Sequence, residues 1–135
     1  MTRVVLDTNV FVSAFLFGGK PRLILDWVEQ GRIALCYSAP MRTEVEVLAE
    51  KFHWRPEMID FACGPYWTGG LRVKPRRQIQ ACSDPDDDHV LECAVEAQAE
   101  FIVTGDKHLL NMSPFEQILI LTPAQFLRSM LPVGS

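Results

Sequence analysis

The chain has 135 residues, of which 48% are hydrophobic and 22% charged, and its formal net charge is −4. That length suits one domain over residues 1–135, able to bury roughly two-thirds of its unfolded surface without disulfide staples, while the acidic balance argues against a nucleic-acid binder that works through a broad basic face. No apolar run approaches the roughly 18 residues that cross a bilayer. The four cysteines, Cys36, Cys63, Cys82 and Cys93, form no Cys-x-x-Cys pair, and Met1 leads into a strand signal rather than a secretory leader. Reduced thiols and a cytoplasmic location are therefore expected.

Residues 3–7 predict a short buried strand that ends on Asp7, and 8–16 a short helix stopped by Phe17-Gly18-Gly19. Pro21 at the start and Gly31 past the end frame a helix over 21–30. A second strand at 32–37 is followed by the turn Ser38-Ala39-Pro40 and an amphipathic helix at 40–52, with Val45, Leu48, Ala49 and Phe52 on one face. A helix at 56–67 ends at Gly69-Gly70, and a short strand at 71–73 leads into the basic run Arg72, Lys74, Arg76 and Arg77. A long helix at 85–99, strands at 101–104 and 118–121, and a helix at 123–131 complete the chain. Strands separated by helices predict an α/β fold with a mostly parallel sheet covered on both faces.

Two carboxylates end apolar strands: Asp7 after Val4-Val5-Leu6, and Asp106 after Phe101-Ile102-Val103-Thr104-Gly105. Open α/β sheets keep their chemistry at such strand ends, so the pair predicts a shared pocket and a cation. A third acid comes from Asp84-Pro85-Asp86-Asp87-Asp88. Capping accounts for much of this run, with Asp84 as N-cap, Pro85 in the first helical position and acids in a turn favoured by the macrodipole. Helical periodicity alone does not choose among Asp84, Asp87 and Asp88. Glu44 is the fourth candidate, in the first turns after the second strand. The basic run is either a solvated loop or a phosphate-contacting one, and Lys107 beside Asp106 joins it as a nucleic-acid contact. Trp27, Trp54, Trp67, Tyr66 and Phe61 could stack on bases, but at helical spacing they read first as core or dimer interface. Met58, Ile59 and the stripe Phe126-Leu127-Met130-Leu131 read as packing faces.

Val4-Val5-Leu6-Asp7-Thr8-Asn9, Ser38 with Thr43-Glu44-Val45, Asp88-His89-Val90-Leu91 and Ile102-Val103-Thr104-Gly105-Asp106 together resemble the four acidic blocks of PIN-domain nucleases, in the right order along the chain. The Asp84–Asp88 and Thr104–Lys107 segments are most similar to VapC-type toxins of toxin–antitoxin systems. The resemblance implies a three-layer α/β/α PIN-like domain and a metal-dependent endoribonuclease. It matches Asp7, Glu44, Asp88 and Asp106 to the family's metal-binding catalytic acids, the separation from Asp88 to Asp106 fitting best. Asn9 and Thr104 match the polar supporting positions. Many relatives carry another acid two residues after the last one, where this chain has His108, which puts a second metal in doubt.

Phosphodiester hydrolysis needs a nucleophile made from water near neutral pH and relief of charge on the phosphate oxygens. Mg²⁺ or Mn²⁺ supplies both and takes oxygen ligands. No Cys/His quartet offers zinc ligands, and Gly18-Gly19-Lys20 lacks the rest of a P-loop. Asp7 and Asp106 are expected as principal ligands, with Asp88 completing the shell and Glu44 binding a second ion or orienting the attacking water. The expected partners are single-stranded or structured RNA, an antitoxin protein and a second copy of the chain. The rival reading is a catalytically inactive PIN-fold module that binds RNA or a partner. A phosphatase using Asp7 as nucleophile is disfavoured, because haloacid-dehalogenase-type sites carry a second Asp where this chain has Asn9.

Overall fold

The computed structural model describes residues 1–131, so the last four residues of the domain expected over 1–135 lie outside the described residues. The elements follow in the order β1 (Thr2–Leu6), α1 (Thr8–Leu16), α2 (Gly19–Glu29), β2 (Ile33–Tyr37), α3 (Ala39–Lys51), α4 (Pro56–Gly69) and β3 (Leu71–Arg72). They continue with α5 (Pro85–Ala97), β4 (Phe101–Val103), α6 (Lys107–Leu110), β5 (Leu119–Leu121) and α7 (Pro123–Ser129). The five strands are all parallel and ordered β3-β2-β1-β4-β5. The chain thus lays strands outward from β1 to one edge and then returns to the other side of β1. That reversal creates a crevice between the carboxyl ends of β1 and β4.

Both faces of the sheet are covered, which is why its strands read as continuous apolar runs. Val4, Leu6, Leu35, Tyr37 and Val103 pack with α1, α2, α4 and α7 on one face. Val5, Cys36, Ile102 and Ile120 pack with α5 and with Leu109 of α6 on the other. This three-layer α/β/α arrangement is the predicted one. No described helix is long and apolar enough to cross a membrane.

Local differences have local causes. The four-residue helix α6 is absent from the sequence reading, because so short a turn carries no periodicity; the Asp106 side chain caps it by accepting from His108 N–H at 2.7 Å. Helix α4 runs to Gly69, and a Cβ on Gly70 would sit 2.6 Å from the Tyr66 carbonyl oxygen of the helix itself and 3.1 Å from the Leu35 carbonyl oxygen of β2. His53 follows α3 with a positive φ of 64°, which stops that helix. Trp67 and Tyr66 are buried against Phe11, and Phe15 joins them with Trp54, so these aromatics form core. Phe61 is 87% exposed and Met58 also faces solvent, while Ile59 is buried. At the sheet edge, the Ile120 N–H, which points away from β4, donates to Ser113 Oγ at 2.9 Å.

Candidate metal and nucleic-acid site

Asp7 follows directly on β1 and its N–H donates to the Val103 carbonyl of β4 at 2.9 Å, so its backbone bridges the two strands that flank the crevice. The residue is 5% exposed. Thr104, fully buried at the end of β4, donates its hydroxyl to Asp7 Oδ2 at 2.7 Å and accepts from the Asp106 N–H at 3.0 Å. One hydroxyl therefore fixes both strand-end acids. Burial pushes the Asp7 carboxyl above its ordinary range, Asp106 adds repulsion, and the Thr104 hydroxyl with the Thr8 and Asn9 amides acts in the opposite sense. Thr104→Val should leave the Asp106 amide without its acceptor and Asp7 without its donor. The expected cost is about 1–3 kcal/mol of stability, read as a lowered denaturant midpoint with an unchanged slope.

The first turn of α5 divides its acids by direction. Asp84 is the N-cap, its side chain accepting from the Asp86 N–H at 2.9 Å. Asp87 turns toward the strand ends: burial, then repulsion from Asp106, Asp7 and Asp84, pushes its carboxyl up to about 6. Asp88 meets the loop that precedes the helix. Its Oδ1 accepts from the amides of Ala81 and Cys82 at 3.0 and 2.9 Å. Four residues on, Glu92 accepts from the Ile79 amide at 2.8 Å, and after four more Glu96 accepts from the Arg76 amide at 3.0 Å. Residues four apart share a helix face, so Asp88, Glu92 and Glu96 form one row of carboxylates that straps the preceding loop to α5. Asp87 is thus the α5 acid that feels the charge of both strand-end acids, while one oxygen of Asp88 is engaged by loop amides.

Glu44, on the second turn of α3, meets His89 of α5, with Oε1 2.7 Å from His89 Nδ1. Burial, partly offset by the His89 contact and reinforced by nearby Asp86, raises the Glu44 carboxyl to about 7. Burial draws His89 down, but the contact with Glu44 outweighs it and His89 rises too. Among the described residues, the donor atoms gathered within 4.8 Å of one another are those of Glu44, Asp86 and His89. Asp86 and His89 were not singled out from the sequence. Their i, i+3 spacing is visible there, but the fold alone brings them to Glu44, 45 positions away from His89.

Of the predicted supporting and contact residues, Asn9 is exposed and lines a groove beside Glu44, and His108 is exposed with its backbone capped by Asp106. Arg76 pairs with Glu96 at 3.2 Å, and Arg77 makes a two-pronged pair with Glu116 at 2.7 and 2.9 Å. These two arginines anchor the loop. Arg72 and Lys74 are exposed and enter no ion pair among the described residues; Arg72 ends edge strand β3 and Lys74 follows it on the carboxyl side of the sheet, and Lys107 is likewise exposed beside Asp106. All four cysteines are free thiols.

The donor set is all oxygen apart from His89, and its carboxylates raise one another's proton affinity. Such a set fits a hard divalent cation, which would relieve the repulsion. Comparison with known proteins agrees. An uncharacterised protein of Methanocaldococcus jannaschii is 28% identical to this chain over 116 residues, covering 82% of this chain and 74% of that protein. The profile of the family described as PIN domain matches residues 3–108, which include β1, the Glu44 helix, the α5 acids and Asp106. PIN domains are in general nucleases that use divalent metals, so the fold is of nuclease type, and on this match the chain belongs to the PIN-domain family.

Proposed function

We propose that the protein is a metal-dependent endoribonuclease and the toxin of a toxin–antitoxin pair. The observation that carries the reaction is the convergence of Asp7, Asp87 and Asp106 at the reversal point of the sheet, with the Asp7 and Asp87 carboxyls both pushed upward by burial and by their neighbours. Asp7, Asp106 and Asp87 are assigned as the residues that hold the cation, with Asp87 taking the place expected of Asp88. When bound, Mg²⁺ or Mn²⁺ would make a nucleophile available from water near neutral pH and neutralise charge on the scissile phosphate. Thr104 holds the Asp7 carboxylate in one orientation, so little motion is needed to engage the substrate. Glu44, whose proton affinity lies near neutrality and which His89 orients, is suited to take the proton of the attacking water.

The toxin assignment is supported by the resemblance of the 84–88 and 104–107 segments, and it implies an antitoxin protein that covers the site. The test is cleavage of labelled single-stranded RNA and transfer RNA with Mg²⁺, Mn²⁺ or EDTA, comparing wild type with Asp7→Asn. Cleavage that requires metal and is lost in the variant is expected; equal cleavage by both would overturn the assignment. Growth arrest on induced expression of wild type, absent with Asp7→Asn, checks the toxin role.

A further inference from the structure

A groove of about 360 Å³ opens beside the acids, bounded by Asn9, by Asp86 and by Glu44, Val47, Leu48 and Lys51 of α3. Its volume lies near the small end of the roughly 300–1,000 Å³ common for small-ligand sites, which suits one nucleotide and not a duplex. Lys51 lies seven residues beyond Glu44, so about 10 Å of helix axis separate them at 1.5 Å per residue. Between them Val47, 48% exposed, and the half-buried Leu48 make an apolar step. Lys51 is exposed and enters no ion pair among the described residues.

A lysine in the last turn of a helix is ordinary, because the macrodipole favours it there. The order of groups along this groove is less so: acids at one end, an apolar step, then an unpaired cation. A phosphate is repelled at the Glu44 and Asp86 end and attracted at the Lys51 end. We propose that this groove seats the single-stranded nucleotide adjoining the scissile phosphate, with its base or sugar against Val47 and Leu48 and its far phosphate on Lys51 Nζ. The inference rests on the nuclease reading, which puts the scissile phosphate at the Asp7 pocket. It makes Lys51 a positioning residue for a single-stranded substrate.

The test measures equilibrium binding of a fluorescein-labelled single-stranded RNA of about 12 nucleotides to Asp7→Asn protein, which blocks turnover. The same protein carrying Lys51→Ala or Val47→Ser is compared between about 50 and 200 mM salt, with thermal scans to check folding. Lys51→Ala is expected to reduce the magnitude of the negative slope of log affinity against log salt by about 0.7 and to weaken all RNA sequences alike. Val47→Ser should weaken binding with the slope unchanged. Unaltered slope and affinity in both variants, or no RNA binding at low salt, would overturn the proposal. If wild type cleaves no RNA yet Lys51→Ala reduces the magnitude of the slope, the nuclease reading fails and the groove stands. If wild type cleaves and Lys51→Ala changes neither slope nor KM, the groove fails and the nuclease stands.

Discussion

Asp87→Asn is expected to reduce RNA cleavage by on the order of a thousandfold, whereas Asp88→Asn should keep most of it and lower stability instead. Losing a ligand carboxylate forfeits several kcal/mol of charge stabilisation in the transition state, and each 1.36 kcal/mol is about tenfold in rate. Asp87 faces Asp7 and Asp106, so its loss falls on that term. Asn at 88 still offers an oxygen to the Ala81 and Cys82 amides, but without the charge. Hydrogen bonds to a charged partner are worth about twice neutral ones, so a loss of about 1–2 kcal/mol of stability follows. Asp88→Ala, which leaves both amides without an acceptor, should cost more. Cleavage rates and thermal melts on the same three preparations decide the matter; a dead Asp88→Asn beside an active Asp87→Asn would return the third ligand to Asp88.

Without metal, the fold is expected to lose stability as pH rises from about 4 through 7, and millimolar Mn²⁺ should restore it. The Asp7 and Asp87 carboxyls lie above their ordinary 3.8, Asp87 at about 6, and Glu44 rises from 4.5 to about 7. A carboxyl raised in the folded state contributes its stability below the unfolded value and loses it as pH climbs through the folded one. His89, also raised, contributes in the same direction. The surface acids Glu96 and Glu116, lowered by their arginine partners, act oppositely, but their contribution is lost only as pH falls below the ordinary carboxylate range. At neutral pH a cation bound only to the folded state adds about 2.7 kcal/mol at a hundred times its Kd, which for a domain of this size raises Tm by roughly 10 °C. Asp7→Asn with Asp106→Asn should melt higher than wild type without metal and show no Mn²⁺ shift. A shift that survives the double substitution would put the ion elsewhere.

The pattern of the fold was open to reading because its strands are buried on both faces and its helices are punctuated by Pro and Gly. The strand-end positions of Asp7 and Asp106 were legible for a related reason, since each acid stands out where an apolar run stops. The 84–88 run was not legible to the single residue. Capping, macrodipole and site all want acids in the same turn, and a rotation of about 100° between neighbouring residues decides which one meets the strand ends. The partners that make the decision, the amides of Ala81 and Cys82, belong to a loop without periodicity. Glu44 stood out only through the turn before it, and its contact with His89 depends on α3 and α5 lying side by side, a tertiary fact with no local trace. For Arg76 and Arg77 the sequence left a solvated loop and a phosphate contact both open; their carboxylate partners come from elsewhere in the chain, 20 and 39 positions away.

The hydroxyl of Ser113 has a consequence for how the molecule behaves in a crowd. An open sheet margin offers unsatisfied backbone donors to any extended segment that drifts past, and such margins seed aggregates. On β5 the N–H groups of a three-residue strand alternate in direction, and the outward one, at Ile120, is already taken by Ser113. A stray strand arriving there meets no donor to pair with. Templated growth of the sheet from that side is therefore weakened, because an incoming strand finds the outward donor of β5 already committed.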